Sequence, residues 1–454
     1  MDINGSIIRN IIFPLMEKRK GNQIRRNLLY LQEKQNLPKE ELAVFQKMKL
    51  KVLLNHCINS VPAYSTYKYL IDEINQDPTT ALGKFPILTK RHFMEHSETF
   101  LDSKVDKNSL IPNSTGGSTG EPVRFFMDRN QVEFYEAARW RGLSWWGIDI
   151  GDSSTMIWGS PIELGKQQEI IYRLKERFLK NRILISAYDL NFNSVNQYVA
   201  MMNRFKPMYL YGYASSLFLF AEMMLKNNLS LKYKPKAVVS TAETLHEFQR
   251  EIIEKAFLTR TINEYGARDG GIIAYQCQNG KMHLTAENVF VEVVDFDTKQ
   301  PVNPGESGLL LVTDLNNFSM PRLRYQLGDV AALSTDTCSC GLNLPILSKI
   351  DGREDDIFVA ISGNYVHGHF FNQITRKLKG IRQFQIIQHS RNKMTLKIIK
   401  GEDFDDSQAE QFKEEIYKKM GKIEINIEYV DKIPTSASGK FRYTKREFPL
   451  AEGI

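Results

Sequence analysis

Asn113-Ser-Thr-Gly-Gly-Ser-Thr-Gly-Glu-Pro122 is followed at once by an apolar run, Val123, Phe125, Phe126 and Met127. Seven of its ten residues are Ser, Thr or Gly. Hydroxyls beside unhindered backbone amides suit the holding of polyphosphate oxygens. No Gly-Lys-Ser/Thr closes the stretch, so it is not a Walker A loop. Taken alone, the composition also fits an ordinary surface turn. The surrounding sequence decides between the two.

Downstream of this loop, short β-branched or aromatic runs alternate with helical patterns. The runs are Ser154–Trp158, Arg182–Ile185, Met208–Tyr211 and Ala237–Val239, and helices are expected over Ser215–Lys226 and Glu247–Ala256. Such alternation predicts an α/β architecture with layered sheets. Residues 289–313 and 321–333 add hairpin-like strands around Asn303-Pro-Gly-Glu-Ser-Gly308. Upstream, residues 1–110 read as a mostly helical region, and Thr89 in Phe85-Pro-Ile-Leu-Thr-Lys90 caps the next helix. Asp351-Gly-Arg353 marks a boundary, and beyond it a small α+β pattern follows. It has strands at Gln383–Gln388, Met394–Ile399 and Ile423–Tyr429, and a helix over Ser407–Met420. The expected organisation is therefore a large multi-layered domain with its helical region at 1–110 and its binding core at 111–351. A small mobile C-terminal domain follows at 352–454.

At 454 residues with 42% hydrophobic content, the chain can build a large core and two or three domains. A net charge of +7, spread along the chain, suits anionic substrates without indicating nucleic-acid binding. Four cysteines argue against a disulfide framework and for a reducing, cytoplasmic setting. No stretch approaches the ~18 apolar residues of a membrane span. Ile7, Ile8, Ile11, Ile12, Phe13 and Leu15 form an apolar cluster broken by Arg9 and followed by Lys18-Arg19-Lys20. Packing on the protein body is expected there, with a membrane-surface helix as the alternative.

Four further segments follow the loop in order. Ile262-Asn-Glu-Tyr-Gly-Ala-Arg-Asp269 ends in a carboxylate placed to hold Mg2+ against a triphosphate. Leu323-Arg-Tyr-Gln-Leu-Gly-Asp329 offers an acceptor for ribose hydroxyls. Asp351-Gly-Arg-Glu-Asp-Asp356 is a charged hinge, and Pro434-Thr-Ser-Ala-Ser-Gly-Lys-Phe-Arg442 carries a Gly-Lys pair on a soft loop. As an ordered set these resemble the adenylate-forming superfamily of acyl-CoA synthetases, adenylation domains and luciferases, over roughly residues 85–445. Phe85–Lys90, Tyr211-Gly-Tyr-Ala-Ser-Ser-Leu217 and Ser240-Thr-Ala-Glu-Thr244 resemble segments of its phenylacetate–CoA ligase branch, which includes capsular-polysaccharide CapK-like members.

That resemblance implies roles. Ser114, Thr115, Gly116, Gly117, Ser118, Thr119 and Gly120 would wrap the phosphates of ATP. Ala242, Glu243, Asn263, Glu264 and Tyr265 would line the adenine and α-phosphate region, and Asp329 with Arg353 would hold the ribose. Asp269 would bind Mg2+, Asp355 would be the hinge, and Lys440 would reach the substrate carboxylate and α-phosphate. Tyr211, Gly212 and Tyr213 would border the acyl pocket. The implied reaction activates a carboxylic acid as an acyl-adenylate and passes the acyl group to CoA, an amine or a sugar, with a homodimer left open.

The sequence also departs from the family's pattern. Glu121 stands where many relatives have Lys, and Gly116-Gly117-Ser118 where Gly-Thr-Thr is common. Asp269 replaces a Glu, and Ile361–Gly368 matches the family's CoA-channel segment only loosely. Adenylation is therefore better supported than CoA as acceptor. The favoured role is surface-polysaccharide or secondary-metabolite assembly, with aryl-acid CoA ligation second and a non-catalytic nucleotide- or partner-binding descendant third.

Cys277, His283, Cys338 and Cys340 form a Cys3His set, a common closed tetrahedral zinc site. Similar placements occur in some phenylacetate–CoA ligase relatives. Free cysteines beside an unrelated histidine are the alternative reading. A zinc hydrolase is disfavoured, because four protein ligands leave no open coordination position.

Overall fold

A computed structural model describes residues 3–114, 123–158, 170–186, 190–353, 356–375, 378, 380–401, 403–434 and 441–448. The chain divides into a large unit (Met1–Glu292, Leu311–Leu327, Leu333–Ser348) and a small one (Val293–Leu310, Gly328–Ala332, Lys349–Ile454).

Strands β1 (Ile111–Ser114) and β2 (Arg124–Met127) pair as a hairpin, Ser114 opposite Arg124. In sequence, the Ser/Thr/Gly stretch lies between them. Five parallel-paired strands follow in the large unit: β3 (Ser154–Trp158), β4 (Arg182–Ser186), β5 (Tyr209–Tyr213), β6 (Ala237–Thr241) and β7 (Thr261–Ala267). Antiparallel β8 (Gly271–Gln276) and β9 (Met282–Leu284) extend them, giving the order β9-β8-β7-β6-β5-β3-β4. Strands β10 (Val289–Val294), β11 (Gly308–Asp314), β12 (Tyr325–Ser334) and β13 (Ile346–Arg353) contribute residues to both units.

Both faces of the parallel strands are covered, which is why they read as continuous apolar runs. Leu210 and Val238 point to one core with Leu217, Phe220, Ile253 and Phe257 from the crossover helices. Ala237 and Val239 alternate to the other, with Leu31, Ala138, Leu143 and Tyr275. Helix Arg129–Ser144 packs closely there because Gly142 has no side chain; a Cβ would lie 2.3 Å from the Tyr275 ring.

The small unit holds a two-stranded sheet, β14 (Ile357–Val359) with β15 (Tyr365–His367). Its main sheet has the order β18-β17-β16-β19, from β16 (Ile381–Ser390), β17 (Lys393–Lys400), β18 (Glu424–Tyr429) and β19 (Thr444–Arg446). Helix Asp406–Met420 covers it, placing Phe412 and Ile416 on Phe384, Ile386, Leu396 and Ile398. At the other end of the chain, Ile8 is buried and Arg9 pairs with Asp152 at 2.7 Å, so the first helical run packs on the large unit.

Candidate functional site

Three parallel strands end together. Register sets Gly212 opposite Ser240 and Tyr213 opposite Thr241, then Ser240 opposite Asn263 and Thr241 opposite Glu264. Tyr211–Tyr213, Thr241–Glu243 and Asn263–Tyr265 therefore share the carboxyl ends of the strands, where open α/β sheets bind ligands. Tyr211 and Thr241 donate hydrogen bonds to Glu264 Oε1 at 2.5 and 3.0 Å, and Arg139 Nε lies 3.4 Å from Oε2. Burial pushes the Tyr211 phenol well above its ordinary pKa, so it stays protonated and donating. Gly212 lets β3 and β5 approach, since a Cβ would sit 2.6 Å from the Ile157 carbonyl.

Trp158 at the end of β3 packs on Tyr213 at 4.1 Å and Tyr211 at 6.1 Å between ring centres. Its indole nitrogen and the Ser240 hydroxyl are buried and find no hydrogen-bond partner among the described residues. Ala242 turns the chain with φ +66°, which a side chain tolerates poorly. Glu243 then accepts from Ser215 N at 2.8 Å, satisfying a free amide at the start of helix Ala214–Lys226. Asn263 is placed by its backbone, which donates to Gln276 Oε1 at 3.0 Å, and Tyr265 lies at the irregularity where β7 meets β8.

Asp269 sits in the turn between β7 and β8 and is 6% exposed. Tyr325 donates to its Oδ2 at 2.8 Å, and Arg322 donates to its carbonyl at 2.8 Å. The carboxylate thus has one oxygen engaged by a neutral phenol, a donor set that leaves capacity for a hard cation.

Ser114 ends β1, its amide held by Asn113 Oδ1 at 2.8 Å. Thr115, Gly116, Gly117, Ser118, Thr119, Gly120, Asp355 and Lys440 lie outside the described residues, as does Glu121. In the small unit Arg353 Nη1 meets Asp329 Oδ1 at 3.2 Å. Asp356 gathers three donors, a role that sequence reasoning missed. Its Oδ1 accepts from Arg442 and Thr444 at 3.0 Å each, and its Oδ2 from the Arg353 amide at 3.1 Å. Arg139 was also missed; one of three arginines in helix Arg129–Ser144, it carries no signal of its distant carboxylate.

The large unit also gathers Cys277, His283, Cys338 and Cys340, with ligand atoms all within 4.8 Å of one another. Cys277 Sγ is 3.7 Å from Cys338 Sγ, and Cys340 Sγ is 3.3 Å from His283 Nε2. Tetrahedral ligands at a zinc–sulfur bond length of ~2.3 Å stand roughly 3.7 Å apart, so the spacing fits. His283 Nδ1 faces the Leu344 carbonyl at 3.0 Å; a carbonyl only accepts, so Nδ1 carries the proton and Nε2 keeps its lone pair. Burial pushes the Cys340 thiol up to about 12, and a cation would offset the cost of ionising it. The set is closed and suits a structural staple.

A family model described as the CapK C-terminal domain matches residues 358–447. Protein CapK of Staphylococcus aureus is 26% identical over 373 residues, covering 80% of this chain and 79% of its own. Phenylacetate-coenzyme A ligase of Thermus thermophilus is 25% identical over 349 residues, covering 73% and 75%. Among solved structures, 2-hydroxyisobutyryl-CoA ligase in its postadenylation state superposes with a TM-score of 0.70 at 16% identity, over 91% of each chain. At that identity the superposition establishes the fold.

Proposed function

Because the chain belongs with the adenylate-forming ligases, as a homologue of CapK and the phenylacetate–coenzyme A ligases, we propose that it activates a carboxylic acid with ATP and transfers the resulting acyl group. A carboxylate oxygen of the acid attacks the α-phosphorus. The bond from that phosphorus to the bridging oxygen breaks, and pyrophosphate leaves with the electron pair. The acceptor nucleophile then attacks the acyl carbon, the carbon–oxygen bond to AMP breaks, and the acceptor loses its proton. The observation that carries this reading is the convergence of Tyr211, Thr241 and Glu264 at the carboxyl ends of β5, β6 and β7.

In this reading Ala242, Glu243, Asn263 and Tyr265 border the adenine, and Asp329 accepts from the ribose hydroxyls. Lys440 neutralises charge between the acid and the α-phosphate, and Thr115–Gly120 supply amide and hydroxyl donors. Asp269 would hold Mg2+, which supplies charge neutralisation at the phosphates. Cys277, His283, Cys338 and Cys340 would hold a structural zinc ion. The departures at Glu121 and Ile361–Gly368 leave CoA, an amine or a sugar as acceptor. Surface-polysaccharide or secondary-metabolite assembly is the role implied by the resemblance of this chain's motifs to the capsular-polysaccharide CapK-like members. The aromatic wall of Trp158, Tyr211 and Tyr213 favours a second reading, an aryl acid joined to CoA.

Carboxylate-dependent ATP–pyrophosphate exchange across aryl, fatty, amino and uronic acids tests the proposal. Exchange with one class, reduced by roughly 10²–10³ in Lys440→Ala, is expected. Exchange with no acid, from folded protein, would move the assignment to nucleotide or partner binding.

A further inference from the structure

The first helical run is not absorbed by this chemistry. Ile3–Lys20 is continuous, with a π turn at Ile8–Ile12. One side is fixed to the large unit: Ile8 is buried, Arg9 pairs with Asp152 and with Asp149 at 3.1 Å, and Asn4 donates to Asn181 Oδ1 at 2.8 Å. A second helix, Ile170–Leu179, reaches the same anchor, because Arg177 donates to Asn181 Oδ1 at 3.1 Å.

Each helix turns an apolar stripe to solvent. Ile7, Ile11 and Leu15 follow one another at four-residue spacing and are 43%, 55% and 61% exposed. Ile171, Leu174 and Phe178 lie on one face of the second helix and are 66%, 50% and 56% exposed. Exposed apolar side chains are normally scattered singly; two periodic stripes on adjoining helices are not.

The charge around them is one-sided. Residues 3–26 hold six basic side chains and one acid. Arg9 is committed, while Lys18, Arg19, Lys20, Arg25 and Arg26 are exposed, as are Arg173, Lys175 and Lys180. The nearby acids are engaged. Asp149 and Asp152 hold Arg9, Glu176 holds Lys180 and Arg182, and Glu17 accepts the Arg25 amide. Exposed Lys206, Lys234 and Lys236 precede β5 and β6 at the same end of the strands, Lys236 lying 4.0 Å from Asp152. These three lysines lie at the opposite end of the strands from Tyr213 and Thr241.

We propose that this face docks the large unit on an anionic lipid surface. Ile7, Ile11, Leu15, Ile171, Leu174 and Phe178 enter the boundary between headgroups and acyl chains. The flanking Lys and Arg meet lipid phosphates. A third exposed stripe, Val44, Met48 and Val52 on helix Lys39–Ser60, has Glu40 and Glu41 at its start, and the lysines beside it are engaged, Lys47 by Asp77 at 3.4 Å and Lys49 and Lys51 by the backbone carbonyls of Glu287 and Asn75, so it provides an internal control.

Full-length protein is sedimented with vesicles of phosphatidylcholine alone and of an equal mixture with phosphatidylglycerol. Binding to the mixture and little to phosphatidylcholine is expected. Ile11→Asp with Leu15→Asp should weaken partitioning at least about tenfold, and the milder Ile11→Ser with Leu15→Ser should weaken it in the same direction. Lys18→Gln with Arg19→Gln should cost about fivefold per charge removed, and added salt should mimic it. Val44→Asp with Met48→Asp should bind as the parent does. Unchanged melting curves show that the variants fold. No binding to either vesicle, equal binding to both, or undiminished binding of the Ile11/Leu15 variants overturns the proposal. So does a change of oligomeric state in those variants without vesicle binding by the parent, which would make the stripes a contact between copies.

Discussion

The two units use charge in opposite ways. In the large unit Arg141 and Glu287 meet at 2.5 Å with side chains 1% and 0% exposed. Water cannot reach either group, so each depends on the other, and the pair is structural. In the small unit Asp329 meets Arg353 at 3.2 Å with side chains 12% and 32% exposed. There the guanidinium keeps contact with solvent, and the carboxylate can exchange part of its coordination for a ligand hydroxyl at little cost. Burial converts an ion pair into a keystone, whereas partial exposure leaves it available for binding.

Removing one member of the buried pair should give the largest effect. Arg141→Met, which strands Glu287, is expected to destabilise the large unit by about 3–5 kcal/mol, and Arg141→Met with Glu287→Met should recover much of the loss. Chemical denaturation read by a large-unit tryptophan would show both. If the single change were harmless, the keystone view would fail.

Metal loss is the next test of what anchors the large unit. Cys340→Ser should lower its bound zinc, measured by metal analysis, and drop its melting temperature by several degrees. The small-unit transition should not move. Zinc-free parent protein with an unchanged melt would favour free thiols.

Asp329→Asn addresses the other side of the comparison. It should raise the KM for ATP roughly tenfold while changing stability by less than about 1 kcal/mol. A stability loss as large as that of Arg141→Met would show that exposure does not distinguish the two pairs.

A buried lysine adds a pH-dependent test. Burial pulls Lys49 down to about 8 although Asp314 and Glu287 oppose it. Below that pH the folded state carries the cost of a buried ammonium. As pH rises from about 8 toward the ordinary lysine value, the folded state releases its proton before the unfolded chain does, and this group's contribution to stability improves. The difference between parent and Lys49→Met should therefore shift in the parent's favour across that window. The smallest effect is expected from Ala242→Gly, which relieves a positive φ and should stabilise by about 1 kcal/mol or less.

Much of the local structure was legible. The apolar runs at Ser154, Arg182 and Ala237 are strands, and Thr89 heads helix Lys90–His96, its amide donating to His92 Nδ1 at 3.0 Å. The run Met208–Tyr211 was placed early; the strand is Tyr209–Tyr213, which carries Gly212 and Tyr213 into the site. The four Cys/His residues were singled out because thiols and an imidazole near turns have few other uses, and the fold brings them together.

Partners were not legible. Arg139 and Glu264, Arg141 and Glu287, and Asp356 and Arg442 are separated by 125, 146 and 86 residues (264 − 139, 287 − 141, 442 − 356). Each is an ordinary charged residue until the strands are aligned.

By itself, then, the sequence determined the periodicities, the turn chemistry and the order of the motifs, because these depend on neighbours a few residues apart. Which carboxylate Tyr211 and Arg139 share, which acid Arg9 anchors to and which apolar side chains stay in solvent were decided only by tertiary structure. Burial and hydrogen-bond partnership are properties of packed surfaces, and they arise only when distant segments are brought into contact.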